Sequence, residues 1–504
     1  MLNEFYGQFK SGTDIRGIAC EGVEGQHQNL TDEAVNNMAD GFVLWLAEKT
    51  GKKPCELTIS AGRDSRITGP HIMELTTERF RLAGARVICC GLASTPSMFM
   101  TTVELGCDGA LQITASHHPF NRNGLKFFTR GGGLEGSDIE AVLTFAQNGM
   151  HPEETDGGSI ESYDFMSDYS KLLRDKIKQE VNAEDYDHPL KGFKIVVDAG
   201  NGAGGFYADK VLKELGADTT GSRYLEPDGM FPNHVPNPED AAAMASICEA
   251  VRENNADLGV IFDTDVDRGG AVDSKGNEIN RNRLVAAAAA IALEGNEGGT
   301  IVTDSITSSG LKEFIENNLG GKHYRYRRGY KNVIDKALEL NAQGINCPLA
   351  IETSGHAAMR ENYFLDDGAY LCTKIIIKAA QLRKQGKELD ELTAGLKEPV
   401  ESIEKRFQIT EKDFRSCGER IINELTAYAE AQDGWNVAAD NREGVRVSFD
   451  SENGDGWFLL RLSVHDPIMP LNIESDSAGG AEIIYNKLYK FLETASGLKL
   501  YTNS

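Results

Sequence analysis

The chain has 504 residues, with 52 lysines and arginines against 77 aspartates and glutamates, a formal charge of −25. That length exceeds a single core and implies about three or four domains, and 40% hydrophobic with 26% charged residues describes an ordinary soluble globular protein. The acidic balance argues against a nucleic acid or an anionic membrane surface as main partner, since both need a basic face, yet a small anionic ligand needs only a few converging cations.

Nine cysteines are scattered singly apart from Cys89-Cys90, with no zinc-like spacing. They read as reduced packing thiols, and with no apolar stretch of membrane-spanning length they imply a cytoplasmic protein.

Near the start, Gly12-Thr13-Asp14-Ile15-Arg16-Gly17 reads as a loop that presents a guanidinium, or as an ion-paired turn. A helix over 31–49, a strand over 56–60, a loop over 61–66, a helix over about 72–83 and a strand over 86–89 follow; this alternation predicts parallel βαβ layers. The short apolar run Gly109–Ile113 predicts a buried strand, and ligands of such sheets sit beyond the carboxyl ends of strands. Directly after it come Thr114-Ala115-Ser116-His117-His118-Pro119 and then Asn121 to Lys126. A nucleophile, an imidazole and a cation in one loop suit acyl or phosphoryl transfer, although a capped polar turn would carry the same residues.

The stretch 148–162 is rich in Gly, Glu, Pro and Ser and reads as a connection, followed by a helix over 163–182. A strand over 193–198 runs into Ala199-Gly200-Asn201-Gly202-Ala203-Gly204-Gly205, whose glycine spacing does not fit a dinucleotide fingerprint, so a second α/β domain is the better inference. At its far end the apolar run 258–262 leads into Asp263-Thr264-Asp265-Val266-Asp267-Arg268. Three carboxylates at alternate positions can fold around one hard cation, for which Mg²⁺ is suited, and without a counter-charge they would repel one another. An EF-hand is excluded because Arg268 stands where the glycine belongs and Ser274 where the bidentate glutamate belongs.

A third unit opens near Asn280, with a strand over 299–304. Its basic, aromatic stretch Tyr324 to Lys331 could grip phosphate or be a plain strand-to-helix junction. The strand 349–351 ends in Glu352-Thr353-Ser354-Gly355-His356, a carboxylate, a hydroxyl and an imidazole suited to sugar hydroxyls, and a helix follows from Asp366-Asp367-Gly368 to about Lys384. Beyond about Glu398 a helix over 411–431, alternating strands over 444–449 and 457–462, and a closing helix over 480–496 predict an α+β domain. Its loop 461–467 pairs Arg461 with Ser463.

Taken together, these strings resemble the α-D-phosphohexomutase superfamily, closest to its phosphomannomutase/phosphoglucomutase group. The resemblance covers essentially the whole chain in the right order: a DIRG-type loop at 14–17, TASHxP at 114–119, DxDxDR at 263–268, an ExSGH-type loop at 352–356 and RxSxxxP at 461–467. It implies an α/β fold of three related domains with mixed sheets plus a smaller C-terminal α+β domain around a central cleft, with boundaries at 1–162, 163–277, 278–397 and 398–504. It implies Ser116 as phosphoserine and Mg²⁺ held by Ser116, Asp263, Asp265 and Asp267. Lys126 matches the general base, Arg16 and Arg268 the charge-stabilising cations, and His117 a supporting neighbour. Substrate would be held by Arg328, Gly329, Tyr330, Lys331, Glu352, Ser354, His356, Arg461, Ser463 and His465.

The implied reaction interconverts hexose 6-phosphate and hexose 1-phosphate, mannose and/or glucose, through a hexose 1,6-bisphosphate that also serves as activator. Small-molecule hexose phosphates are then the only implied partners, and the sequence leaves the oligomeric state open. Two departures stand out: His118 replaces the commonest Asn, and Val464 and His465 replace small or polar residues of the phosphate loop. The alternatives are a phosphoglucosamine mutase, a haloacid-dehalogenase-type phosphotransferase with Asp263 as nucleophile, and a non-catalytic sugar-phosphate-binding protein. The second leaves the 114–119 string unexplained.

Overall fold

The computed structural model describes residues 2–463 and 466–500. Two compact units emerge, one formed by 1–284 with 354–391 and the other by 285–353 with 392–504. Among the described residues no helix is long and apolar enough to cross a membrane.

The first unit holds an eight-stranded mixed sheet. Its centre is parallel, Thr58–Arg63 lying between Arg86–Leu92 and Gly109–Ile113. Its other side is antiparallel, because Gly109–Ile113 turns back through the Ser116 segment into Arg122–Thr129, which then pairs with Asp14–Ile18. The helix Asp32–Thr50 covers one face. Thr31 Oγ1 caps it by accepting from Ala34 N at 3.3 Å, Asp32 and Glu33 occupy its positive first turn, and Gly51, at φ 70°, ends it in the left-handed region. Its inner face carries Phe42, whose ring stacks on Phe127 at 4.1 Å within a contiguous apolar core. Each such large side chain contributes about 1.5–3 kcal/mol by leaving water.

The second sheet of this unit pairs Ile195–Asp198 in parallel with Leu258–Phe262, which runs antiparallel to Gly269–Val272. All five residues of Leu258–Phe262 are buried, as expected of a strand covered on both faces.

In the second unit, Thr300–Thr303 lies in parallel between Lys322–Arg325 and Leu349–Ile351. A separate antiparallel sheet contains Glu401–Ile409, Val445–Phe449, Gly456–Leu460 and Ile468–Ser475, with the helices Phe414–Glu430 and Gly480–Leu492 contributing to its core. The buried Arg446 ties the two sheets of this unit. It donates from Nη1 to Ser305 O and from Nη2 to Thr307 O, both at 3.1 Å, while its guanidinium lies 3.5 Å from the centre of the Trp457 ring.

Several elements differ from the sequence expectations. Asp14–Ile18 is a strand rather than a loop, because its backbone pairs with 122–125, a partner more than a hundred residues away. Lys126 lies on the Arg122–Thr129 strand opposite Gln112, not in the loop with Ser116. The strand expected over 56–60 is Thr58–Arg63, preceded by a short 3₁₀ turn over Pro54–Glu56. The connection 148–162 contains a fully exposed edge strand, Ser159–Ser162, and the edge position explains its polarity. The helix Thr95–Glu104 escaped the sequence reading because most of it is buried, leaving no polar stripe. Its start signal was nonetheless present: Ser94 caps by accepting from Ser97 N at 3.3 Å, and Pro96 sits in the first turn.

Candidate functional site

Ser116 sits beyond the end of the Gly109–Ile113 strand with φ 50°, a left-handed conformation that costs a residue with a side chain about 1–3 kcal/mol. The surrounding backbone holds it there. Ser116 N donates to Thr114 Oγ1 at 2.9 Å, and Thr114 N to Gly124 O at 3.1 Å. Gly124 is required: a Cβ there would lie 2.2 Å from Ile15 O and 2.8 Å from Thr114 O. Ser116 Oγ, in turn, donates to Asp263 Oδ2 at 3.1 Å and lies 3.2 Å from His117 Nδ1.

The carboxylates stand on the turn between Leu258–Phe262 and Gly269–Val272. Val266, at φ 69°, is a second strained position, unusual for a β-branched residue. Asp263 accepts from Arg268 N at 3.2 Å, Asp265 accepts from Thr95 Oγ1 at 2.5 Å, and Asp267 pairs with Lys126 Nζ at 2.8 Å. All three carboxylates are buried, and one oxygen of each lies within 4.8 Å of the others.

Their electrostatics differ. Burial, then Asp267 and Asp265, push Asp263 well above the usual carboxylate range, and burial with Asp267 also raises Asp265. Burial acts the same way on Asp267, but Lys126, His356 and Arg268 outweigh it and hold that carboxyl below the usual range. Asp265 Oδ1 and Asp267 Oδ1 are buried without a hydrogen-bond partner. Two orphaned carboxylate oxygens in a cluster of three fit a hard divalent cation with oxygen ligands.

Around this cluster the first unit assembles further groups. His356 Nδ1 lies 2.6 Å from Asp366 Oδ2 and 3.7 Å from Asp267 Oδ1, and Arg268 Nε donates to His356 Nε2 at 2.9 Å. Burial opposes a charge on His356, but Asp366 and Asp267 reverse the balance and raise its pKa. His117 is driven well below the ordinary value by burial and then Arg268, and burial with Arg16 takes His118 down to about 3, so both rings are neutral at neutral pH. Arg16 Nη2 is engaged by Asp14 Oδ2 at 2.9 Å.

Ser354 is buried in the first unit, just past the boundary that falls after Thr353, and the other expected residues belong to the second unit. Gly329 N donates to Glu352 Oε1 at 2.5 Å, and Arg328 N to Glu443 Oε2 at 3.2 Å. Tyr330 opens the helix Tyr330–Ala342, and Lys331 pairs with Asp335 one turn on. Arg461 follows the Gly456–Leu460 strand, with Nε enclosed and unpartnered. Burial lowers its pKa although Glu443 opposes that, a setting in which an incoming anion would be strongly bound. Ser463 N donates to Ile468 O at 2.9 Å, and Ser463 Oγ accepts from Asp466 N at 3.3 Å. His465, expected to contact phosphate, lies outside the described residues, as does Val464.

Three family profiles match the chain in order: phosphoglucomutase/phosphomannomutase alpha/beta/alpha domain I over 10–151, domain II over 169–276 and domain III over 280–399. The chain belongs to this family, within the α-D-phosphohexomutase superfamily. Among its relatives, the phosphoglucomutase of Neisseria meningitidis is 28% identical over 96% of both chains. The phosphomannomutase/phosphoglucomutase of Pseudomonas aeruginosa is 28% identical over 92% of this chain and 91% of its own. A solved phosphoglucomutase/phosphomannomutase family protein from Burkholderia thailandensis superposes with a TM-score of 0.79 at 26% identity, covering 99% of this chain and all of the other. The α/β fold with mixed sheets and a further C-terminal domain is the fold of this family.

Sequence reasoning did not single out Thr95, Asp366 or Arg66 as site residues. Thr95 was hidden because its helix was missed, and Asp366 was read only as part of a helix start. Arg66, in the string Gly62-Arg63-Asp64-Ser65-Arg66, carried a possible signal, since an arginine so close to an apolar strand is either solvated or engaged.

Proposed function

We propose that this chain is a phosphohexomutase that interconverts hexose 6-phosphate and hexose 1-phosphate, of mannose and/or glucose, through phosphorylated Ser116 and a hexose 1,6-bisphosphate intermediate. The observation that carries the proposal is the strained Ser116, its Oγ 3.1 Å from the first of three buried carboxylates. The names of near-full-length relatives support glucose and mannose phosphates over glucosamine phosphate.

In this reading the Ser116 Oγ–P bond breaks as a sugar hydroxyl oxygen forms its own bond to the same phosphorus. The hydroxyl proton leaves to Lys126 Nζ, assigned as the general base and reacting as its neutral amine, which lies 2.8 Å from Asp267 Oδ2. The product is a bisphosphate; transfer of its other phosphoryl group to Ser116 restores the starting enzyme. Such transfers are catalysed mainly by positioning and charge neutralisation. Asp263, Asp265, Asp267 and Ser116 would hold Mg²⁺, which when bound neutralises charge on the transferring group. Arg16 and Arg268 add fixed positive charge, while neutral His117 can share a hydrogen bond with Ser116 Oγ.

Arg461, Ser463 and Arg328 to Lys331 are assigned to the non-reacting phosphate, Glu352 and Ser354 to sugar hydroxyls. His356, held by Asp366, is assigned to the sugar end as well. The proposal also includes the four-domain division given above and a cytoplasmic setting, the latter supported by nine cysteines that are all free thiols.

The test is turnover of glucose 1-phosphate, mannose 1-phosphate and glucosamine 1-phosphate with a trace of the matching bisphosphate. The proposal requires the first or second to be the preferred substrate by kcat/KM. Preference for the third would move the reading to phosphoglucosamine mutase, and turnover of none would leave a binding protein.

A further inference from the structure

One segment of the first unit is absorbed by none of these assignments. Residues 226–240 contain no helix or strand, a length of irregular chain that calls for a reason. The segment is firmly tied to its own sheet. Asn201 Nδ2 donates to Glu226 O at 2.9 Å, Asn233 Nδ2 to Asn201 Oδ1 at 2.7 Å, and His234 Nε2 lies 3.0 Å from Asp198 Oδ1.

From that anchor it reaches the other sheet. Gly229 packs so closely that a Cβ would stand 2.4 Å from Ile67 N and 2.5 Å from Ser65 O. Two residues on, Phe231 adopts φ 50° and lays its ring 5.3 Å from the Arg66 guanidinium carbon. Arg66 is fully buried. Its Nη1 donates to Pro119 O and Arg122 O, both at 2.8 Å, and its Nη2 to His118 O at 2.6 Å and to Ser116 O. One planar cation thus gathers four carbonyls between Ser116 and Arg122, in the turn that carries Ser116 and at the first residue of the strand that follows it.

We propose that Arg66 and Phe231 are positioning residues for the nucleophile. Arg66 gathers the 116–122 backbone onto one guanidinium, and Phe231, held out from the second sheet by the Asp198–His234 anchor, covers that guanidinium on its open side. Without the ring, water competes for the same donors and the turn loosens. Because Asp263 stands on the second sheet, this contact also fixes the turn against the carboxylates it faces. The inference rests on Ser116 being the phosphoryl carrier.

Amide hydrogen exchange and steady-state kinetics on the full-length protein test it together. In Phe231→Ala, amides of residues 115–122 should exchange faster than in the parent, while those of Gly109–Ile113 keep their protection. Misplacement of a reacting group by a fraction of an ångström to one ångström should lower kcat by about 10–100-fold, with KM for the sugar phosphate within about twofold of the parent, and Phe231→Tyr, which keeps a ring over the cation, should recover most of it. Arg66→Ala should lose more, and millimolar methylguanidine should restore part of its kcat, whereas Arg66→Lys, with a single ammonium for four carbonyls, should remain impaired.

Parent-like exchange at 115–122 in Phe231→Ala would overturn the proposal. So would a kcat loss that only tracks the fraction unfolded, or no response of Arg66→Ala to methylguanidine. Faster exchange in a protein that shows no turnover of any hexose phosphate would instead uphold the brace and remove the assigned chemistry.

Discussion

The Ser116–Asp263 region of the first unit and the Arg461–Arg328 region of the second solve opposite electrostatic problems. In the first, three carboxylates are buried at strand ends, two of them with raised pKa and two with an unpartnered oxygen. Such a cluster is costly until a cation occupies it. In the second, a guanidinium with an enclosed, unpartnered Nε is held by burial below its usual pKa, and Glu443, with Asp304 and Glu404, offsets that only in part. Both stand just beyond strand ends, but the first is fixed by left-handed backbone at Ser116 and Val266 and by Gly124, which has no room for a side chain. In the proposed reaction, fixed geometry would serve bond making, whereas a clamp that accepts either end of a turning bisphosphate would need charge more than fixed geometry.

The strongest way to sharpen this contrast is to remove one carboxylate. Asp265→Asn should lower kcat by about 10²–10³-fold and weaken the response to Mg²⁺, since it removes charge where the proposal would hold the cation. Parent-like turnover in excess chelator would break the assignment of the cluster. On the other side, Arg461→Ala should raise KM about tenfold or more for glucose 1-phosphate and mannose 1-phosphate alike, as loss of a charge-assisted phosphate contact does, with kcat changed far less. A loss confined to one sugar would show that the loop reads the sugar and not the phosphate.

A smaller effect is expected at Thr95, which touches the cluster only through Asp265. Thr95→Val removes the hydroxyl that donates to Asp265 Oδ2 and should weaken the apparent Mg²⁺ affinity about tenfold, the usual cost of losing a ligand's own hydrogen-bond partner. An unchanged Mg²⁺ titration would place Thr95 in a purely packing role.

The smallest concerns stability. His323 is partly exposed as a residue, but its Nδ1 is enclosed and its Nε2 bonds Thr303 Oγ1 at 2.7 Å. Burial, then Arg325, Arg446 and Lys312, hold it well below the ordinary histidine pKa. The unfolded chain therefore binds a proton below about pH 6.5 that the folded chain does not, so stability should fall as pH drops, by about 1 kcal/mol per pH unit for this one group. His323→Gln should flatten the slope between about pH 6 and pH 5 by that amount in a denaturant series; an unaltered slope would mean that the ring protonates in place.

How much of this was legible in the sequence follows the same division. Strand ends with dense chemistry were readable: the Gly109–Ile113 and Leu258–Phe262 runs are apolar and short, and Ser116 and the aspartates follow directly. What depends on distant pairing was not. Asp14–Ile18 becomes a strand only through residues 122–125, and that pairing also moves Lys126 out of the Ser116 turn. Nor does local pattern announce that Arg66 will serve four carbonyls or that Asp366 will face His356, since each contact spans a chain separation that no periodicity encodes. The helix Thr95–Glu104 was lost for another reason: a helix buried nearly all round has no amphipathic signature.

The central claim is that Ser116, and not an aspartate of the cluster, carries the phosphoryl group. The direct measurement is to incubate the protein with glucose 1,6-bisphosphate labelled in its phosphates, quench in acid, and locate the label by peptide mass before and after hydroxylamine. The account predicts an acid-stable, hydroxylamine-resistant label on the peptide containing Ser116, absent from Ser116→Ala. Hydroxylamine-labile label on the peptide containing Asp263 would contradict it.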